Sequence, residues 1–101
     1  MLRIYDVAIQ TLEEMRPAIE VIERRDRDLA RQMRRAASSV VLNIAEGSGS
    51  SGGTRRERYR NALGSAREVV ACIDVARAWR YADVEVGGLR EVIGTLVNII
   101  R

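Results

Sequence analysis

Apolar residues recur at steps of three and four along almost the whole chain, and this spacing limits the fold more than any other property of the sequence. It is the pattern of an amphipathic α-helix, whereas a half-buried β-strand would alternate apolar and polar residues. The pattern breaks at 24–28, 47–53 and 81–83, which leaves four helical segments. The connections are short, so the sequence predicts an all-α fold, an antiparallel up-down-up-down four-helix bundle. A chain of 101 residues suits one domain, 1–101.

The first apolar stripe predicts a helix that Pro17 bends without ending. Proline removes one backbone hydrogen bond and crowds the carbonyl of Glu13, but the apolar spacing resumes beyond it. The charged run 24–28 has no apolar member and offers two aspartates as N-caps, so it marks the connection to a second helix from about Asp28 to Gly47. The residues of the first stripe are Leu2, Tyr5, Ile9, Leu12, Met15, Ile19 and Ile22.

The second helix carries an apolar face with a narrow polar band beside it. The apolar face consists of Leu29, Ala30, Met33, Ala36, Ala37, Val40, Val41 and Ile44. The polar band consists of Gln32, Arg35, Ser39, Asn43 and Glu46. A band in this position is half-buried in a bundle, so its polar groups need partners. We expect the last four of these residues to hold a helix–helix corner or a subunit contact, because the set has no proton-transfer or metal-binding pattern.

The segment 47–53 contains only Gly and Ser and predicts a flexible loop. Thr54 and Glu57 follow with the spacing of a capping box, which predicts that helix three opens there. The loop also spells G-x-G-x-x-G, but it follows a helix instead of a strand, and a P-loop would need Lys where Gly53 stands, so the context argues against both nucleotide sites. Two alternatives remain: a plain linker with solvated charges, which we favour, and a backbone phosphate held at the start of helix three.

Helix three is predicted to reach about Trp79, and Asp83 is expected to cap a last helix that Gly87 and Gly88 weaken at its start. The stripe of helix three is Tyr59, Ala62, Leu63, Ala66, Val69, Val70, Ile73 and Ala76. The stripe of helix four is Val86 or Leu89, then Val92, Ile93, Leu96, Ile99 and Ile100. Core or interface packing is expected for the aromatic residues Tyr5, Tyr59, Trp79 and Tyr81, because base stacking needs exposed rings and the sequence indicates none.

The chain contains no His and one Cys, which argues against familiar catalysis. It has no Ser/His or Cys/His nucleophile pair, no usual zinc site and no internal disulfide. We expect no enzyme, no cofactor, no metal and no small-molecule substrate, and we expect Cys72 to be a buried small apolar residue. No apolar run approaches the about 18 residues of a membrane span, and the N-terminus lacks a signal-peptide pattern. The expected location is the cytoplasm, with no membrane partner.

Positive charge is concentrated in the middle of the chain and comes entirely from Arg. Residues 24–60 hold ten arginines against four acids, a net charge of +6, whereas the rest holds seven arginines against ten acids, a net charge of −3. This asymmetry is typical of a face that binds a polyanion, although a solvated helical surface is the alternative. The candidate nucleic-acid-binding residues are Arg31, Arg34, Arg35, Arg55, Arg56, Arg58 and Arg60.

The run QMRRAASSVVLNIAEG, residues 32–47, resembles the signature of a bacterial four-helix-bundle family of ribosomal-RNA intervening-sequence proteins. That signature is roughly Q-[LIM]-R-R-A-A-x-S-[IV]-x-x-N-[IV]-A-E-G. The run ALGS at 62–65 followed by Glu68 resembles the family's second block, and residues 96–100 resemble its closing helix. The resemblance therefore extends over nearly the whole chain.

This resemblance implies an assembly and a partner. A relative in the family, the accessory variability determinant of diversity-generating retroelements, forms a ring, partners a reverse transcriptase and binds nucleic acid through a basic surface. The resemblance thus implies a homo-oligomer, a homopentameric barrel, with a reverse transcriptase as a partner. We expect a non-enzymatic accessory protein that binds DNA or RNA. The alternative is a structural homo-oligomeric scaffold that binds a protein partner and no nucleic acid.

Overall fold

The computed structural model describes residues 3–101, which form four α-helices and no strand. The helices are α1 (Arg3–Arg25), α2 (Arg27–Ser48), α3 (Gly52–Ala78) and α4 (Gly87–Ile100). The principal contacts join α1 to α2, α2 to α3, α3 to α4 and α4 back to α1, so each helix has two main neighbours. These residues measure 42 × 20 × 19 Å. The predicted all-α class with four helices is confirmed, while the antiparallel order and the pentameric barrel stay predictions.

A single residue, Asp26, separates α1 from α2. Its carboxylate accepts a hydrogen bond from the Leu29 backbone N–H at 3.0 Å, which satisfies one of the amides that a helix start leaves without a partner. Asp28, the other predicted cap, lies inside the first turn of α2, where a negative charge is favourable. Pro17 lies inside α1, which continues to Arg25, so the prediction that the helix passes through this proline is confirmed.

In the first half of α1 the predicted apolar stripe is displaced by one residue from the face that is buried. Tyr5, Ile9 and Leu12 are only half-buried, and Leu2 lies outside the described residues. The residues buried there are Ile4, Val7, Ala8 and Thr11. Burial of Thr11 is possible because its hydroxyl donates a hydrogen bond to the Val7 carbonyl at 2.7 Å. Gly88 of α4 lies against that hydroxyl, which a Cβ on Gly88 would overlap.

The predicted glycine loop is mostly helical, and this prediction was wrong. Gly47 and Ser48 complete the last turn of α2, Gly52 and Gly53 begin α3, and only 49–51 join the two helices. Gly49 caps the end of α2 through its backbone N–H, which donates to carbonyls of the last turn. Gly47 is required by packing and not by flexibility, because a Cβ at this position would overlap the ring of Tyr59.

The two predicted caps of the later helices were also wrong. Thr54 lies inside α3, whose N-cap is Ser51 without a side-chain hydrogen bond, and Gly52 has a φ of 61° that favours glycine. At the other connection α4 begins only at Gly87, with Val86 as its N-cap. Val86 has an extended backbone, and Val84 just before it is buried. The carboxylate predicted to cap α4, at position 83, instead pairs with an arginine of α3.

The core of the last three helices follows the predicted stripes with local exceptions. Every predicted apolar residue of α2 is buried. Three predicted core residues are exposed: Val70, Ile99 and Trp79. The residues that are half-buried instead of buried are Leu63, Val86, Ile93, Ile100 and Tyr81. Tyr59 and Cys72 are buried as predicted, but core packing of Trp79 was wrong, since this residue lies at the α3 C-cap and is 68 % exposed.

Candidate nucleic-acid interface

Two candidate arginines of α2 form ion pairs near the turn between α1 and α2. Arg34 donates two hydrogen bonds to the Glu23 carboxylate, at 2.9 and 3.2 Å. The hydrogen bond from Arg34 lowers the pKa of Glu23, and the same bond raises the pKa of Arg34. Arg31 pairs with Asp28 at 2.9 Å within its own helix, in full contact with solvent. Both charges are therefore partly compensated inside the protein.

Arg55 is tied to the end of α2. Its Nε donates to the Ser50 carbonyl at 2.9 Å and to the Gly47 carbonyl at 3.2 Å. The Gly47 carbonyl, in the last turn of α2, also accepts from the Ser50 N–H at 3.2 Å, so the guanidinium adds a second donor there and complements the negative helix end. The structure thus gives Arg55 a role in joining α2 to α3.

The polar band of α2 meets α3 at Ser39, which Asn43 of the same helix supports. The Ser39 and Ser65 hydroxyls lie 2.8 Å apart, and the Asn43 side-chain amide donates to the Ser39 carbonyl at 2.9 Å and to its hydroxyl at 3.0 Å. One turn further on, Glu46 pairs with Arg58 at 3.0 Å. The Ser39–Ser65 contact and the Glu46–Arg58 pair join α2 to α3, whereas Arg35 makes no side-chain hydrogen bond or ion pair within residues 3–101. The expected role of the band in a helix–helix corner stays a prediction, and so does a subunit contact through the band.

A shallow groove runs along the same side of α2. It is lined by Arg34, Arg35, Ser38, Ser39, Leu42, Asn43, Glu46 and Arg58. Leu42 lies among these polar side chains and is 62 % exposed. Arg35 is exposed and makes no ion pair with any residue of 3–101. The groove thus combines an apolar side chain with an uncompensated positive charge.

Six exposed arginines of the basic segment make neither an ion pair nor a side-chain hydrogen bond within the described part of the chain, whereas Arg55 makes no ion pair but donates to carbonyls. The six are Arg24, Arg25, Arg27, Arg35, Arg56 and Arg60. Arg56 and Arg60 are four residues apart on α3, so they are neighbours on one helix face, where like charges repel. Of the seven predicted binding residues, only Arg35, Arg56 and Arg60 belong to this group.

The first three of these arginines were not among the predicted site residues. They lie at the turn between α1 and α2, beside a concavity that also includes Asp26, Asp28, Arg31 and Tyr81. The run 24–28 has no apolar member and in the sequence indicates only a connection, because the element that meets this turn is set by the tertiary structure. Three arginines within four residues were the signal in the sequence that marks this turn.

Within residues 3–101, no group of three or more His, Cys, Asp or Glu residues is placed to hold a metal ion. Burial raises the pKa of the Cys72 thiol, and the negative charge of Glu68 adds to the effect, so the reactive thiolate is disfavoured. None of the helices described is both long and apolar enough to cross a membrane.

Comparison with known proteins gives one match. A family model described as "23S rRNA-intervening sequence protein" matches residues 1–100. No curated protein and no solved structure matches the chain significantly. The match covers all four helices, including the band of α2 and the arginines considered above.

Proposed function

The chain belongs to the 23S rRNA-intervening sequence protein family, and from this premise we propose that it is a non-enzymatic, oligomeric accessory protein that binds nucleic acid through arginine–phosphate contacts. The observation that carries the proposal is the set of six exposed arginines between positions 24 and 60 that have neither an ion pair nor a side-chain hydrogen bond. A guanidinium binds phosphate well because its planar donors match the oxygens and it stays charged at any physiological pH.

Like-charge crowding supports a polyanionic ligand over a merely solvated surface. Arg56 and Arg60 repel each other on one face of α3. A phosphate backbone beside them would attract both guanidinium groups and offset this repulsion. Contacts of this kind position a protein on nucleic acid without reading bases. We therefore expect strong salt dependence and little sequence preference.

The second part of the proposal is self-association of antiparallel bundles, as a pentameric barrel, through the groove around Leu42. A leucine exposed to 62 % among polar side chains gains free energy when a second copy covers it. The same observation favours the second candidate function, a homo-oligomeric scaffold that holds a protein partner and no nucleic acid. A reverse transcriptase as that partner stays a prediction from the family resemblance.

The test compares two variants that remove the same net charge. Each variant changes two arginines to Gln outside the groove around Leu42. In the first, Arg56 and Arg60, which have no ion pair, are changed. In the second, the change is made at the ion-paired Arg3 and Arg31. Binding of unrelated DNA and RNA fragments is measured by fluorescence anisotropy at several salt concentrations, and light scattering gives the mass of each variant.

Wild-type affinity should collapse as salt rises, and light scattering should give several times the 11.3 kDa mass of one chain. The first variant should flatten the slope of log affinity against log salt by about 2, since each neutralised duplex phosphate contributes about 0.9. The second should change the slope less. Absence of binding at low salt would favour the scaffold, and equal slopes for both variants would place the contacts elsewhere.

A further inference from the structure

The end of the molecule where α3 stops and α1 turns into α2 combines an exposed indole with uncompensated arginines. We infer that this end, the Trp79 corner, takes an unpaired base of a single-stranded nucleic acid on Trp79, while Arg80 and the arginines of the α1–α2 turn hold the flanking phosphates. The Trp79 corner comprises Trp79, Arg80, Tyr81, Arg24, Arg25 and Arg27. The inference rests on the proposed function and deepens it by naming the form of nucleic acid.

Exposure of Trp79 is the first observation. At 68 % it is the most exposed large apolar side chain of residues 3–101, although an indole of this size is normally a core or interface residue. An indole presents a flat π surface with few rotatable bonds. Stacking on such a surface is how proteins bind unpaired bases without sequence preference.

The backbone of Arg80 is the second observation. α3 ends in a Schellman motif, in which the Tyr81 N–H donates to the Ala76 carbonyl at 2.8 Å and the Arg80 N–H donates to the Arg77 carbonyl at 3.0 Å. The residue after the cap must then be left-handed, and Arg80 has a φ of 59°. Glycine takes this position without strain, so an arginine there is locally unfavourable. Strained residues of this kind concentrate at functional sites, and this one places a guanidinium next to Trp79 along the chain.

Charge at the neighbouring turn is the third observation. Tyr81 borders the same concavity as the α1–α2 turn. The three acids there are already engaged: Glu23 by Arg34, Asp28 by Arg31, and Asp26 by the amide of Leu29. Arg24, Arg25 and Arg27 make no ion pair within residues 3–101. The concavity therefore keeps a positive charge that is available to phosphate.

Together these features fit a single strand better than a duplex. A duplex stacks its bases on each other and offers only phosphates and groove edges, whereas a single strand offers base faces and phosphates to one surface. The corner is also separate from the arginine pair of α3. Arg56 and Arg60 lie near the start of α3, a helix of 27 residues that extends about 40 Å to Trp79. The two regions can therefore be tested one at a time.

The experiment uses the fact that Trp79 is the only tryptophan of the sequence. The full chain is titrated at low salt with a 20-nucleotide oligouridine, a duplex RNA of the same length and polyglutamate, and intrinsic fluorescence and anisotropy are both followed. Oligouridine should quench the Trp79 emission and the duplex should leave it largely unchanged. Trp79→Leu should lower the affinity for oligouridine by about tenfold, and Trp79→Phe, which keeps an aromatic face, should restore part of it.

The Arg80→Gly variant distinguishes a loss of oligouridine binding from a loss of stability. Relief of the strained backbone should raise the melting temperature, while loss of the guanidinium should weaken oligouridine binding severalfold. Arg90→Gln, which removes one exposed charge from α4, is the control and should weaken it less.

Binding of oligouridine without quenching, or with unchanged affinity in Trp79→Leu, would overturn the inference and leave the proposed function standing. Quenching by polyglutamate equal to that by oligouridine would overturn it in favour of an acidic protein partner. Absence of any nucleic-acid binding would overturn both.

Discussion

The ring of Tyr59 lies so close to the backbone of Gly47 that a Cβ at position 47 would be 2.7 Å from the Tyr59 Cε1 atom. Tyr59 is only 2 % exposed, and its ring is held by the core, so it has little freedom to move aside. The last turn of α2 therefore reaches α3 only because residue 47 has no side chain. This contact, together with the hydrogen bond from Arg55 to the Gly47 carbonyl, fixes the corner between the two helices.

Gly47→Ala should destabilise the protein by about 1 to 3 kcal/mol, because the added methyl group forces the buried ring or the backbone to shift. Gly64→Ala is the matched control. Gly64 is also inside a helix, but a Cβ added there would have nothing within 4 Å, so alanine should be neutral or stabilise by up to about 1 kcal/mol. Urea unfolding followed by circular dichroism measures both, and equal stabilities for the two variants would contradict the packing argument.

Arg55→Ala should lower the free energy of unfolding by about 0.5 to 1.5 kcal/mol, since two carbonyls near the end of α2 lose their side-chain donor. Arg56→Ala removes the same charge from the adjacent exposed position and should be neutral or slightly stabilising, because it relieves repulsion with Arg60. Thermal unfolding of both variants is the measurement. A larger loss for Arg56→Ala would show that the joining role belongs elsewhere.

The half-buried hydroxyl pair should be worth more than the neighbouring ion pair. Ser39→Ala and Ser65→Ala should each cost about 1 kcal/mol, and a double-mutant cycle should return a favourable coupling between them. Glu46→Ala should cost at most about 1 kcal/mol, because the Glu46 and Arg58 side chains are 58 % and 43 % exposed and water screens their pair. Zero coupling in the Ser39 and Ser65 cycle would mean that the short contact contributes nothing to stability.

The free energy of unfolding should fall at alkaline pH because of Cys72. Burial raises the pKa of its thiol above the ordinary value of 9.0, so the thiol of the unfolded chain ionises first as pH rises. The contribution is complete below that value and is lost progressively as pH increases towards the folded-state pKa. Melting temperatures of wild type and Cys72→Ala from pH 7 to 10 test this. The difference between the two proteins should be constant up to about pH 8 and shrink above it, and a constant difference throughout would contradict it.

The sequence is most informative where side chains pack in a regular helical pattern. The face of α2 from Leu29 to Ile44 was predicted residue by residue, because a long apolar stripe without glycine has only one way to face a core. The α1 face was misplaced where Thr11 enters the core, since burial of that hydroxyl depends on its bond to the Val7 carbonyl and on the approach of Gly88. Neither contact is visible in the local pattern.

The roles of the glycines and of the individual arginines follow from tertiary contacts and not from the local sequence. A run of Gly and Ser indicates a loop by composition, yet the glycine at position 47 is set by a tyrosine twelve residues later. Likewise, the count of arginines identified a basic segment but did not separate those that donate to backbone carbonyls, such as Arg55, from those without any side-chain partner, such as Arg56. The sequence does not bring Trp79 together with the arginines of the α1–α2 turn, because they are about fifty residues apart.

The exposure of Leu42 gives a last prediction, on assembly. In an isolated bundle a polar residue at this position is harmless, so Leu42→Arg should leave the helix content and melting behaviour of the monomer unchanged. In an oligomer that covers the groove, the same change places an uncompensated charge among Arg35 and Arg58 and should dissociate it. Val75→Arg, on an exposed site of α3 outside the groove, is the matched control and should keep the wild-type mass. Light scattering that gives equal masses for the two variants would exclude the groove as the subunit contact.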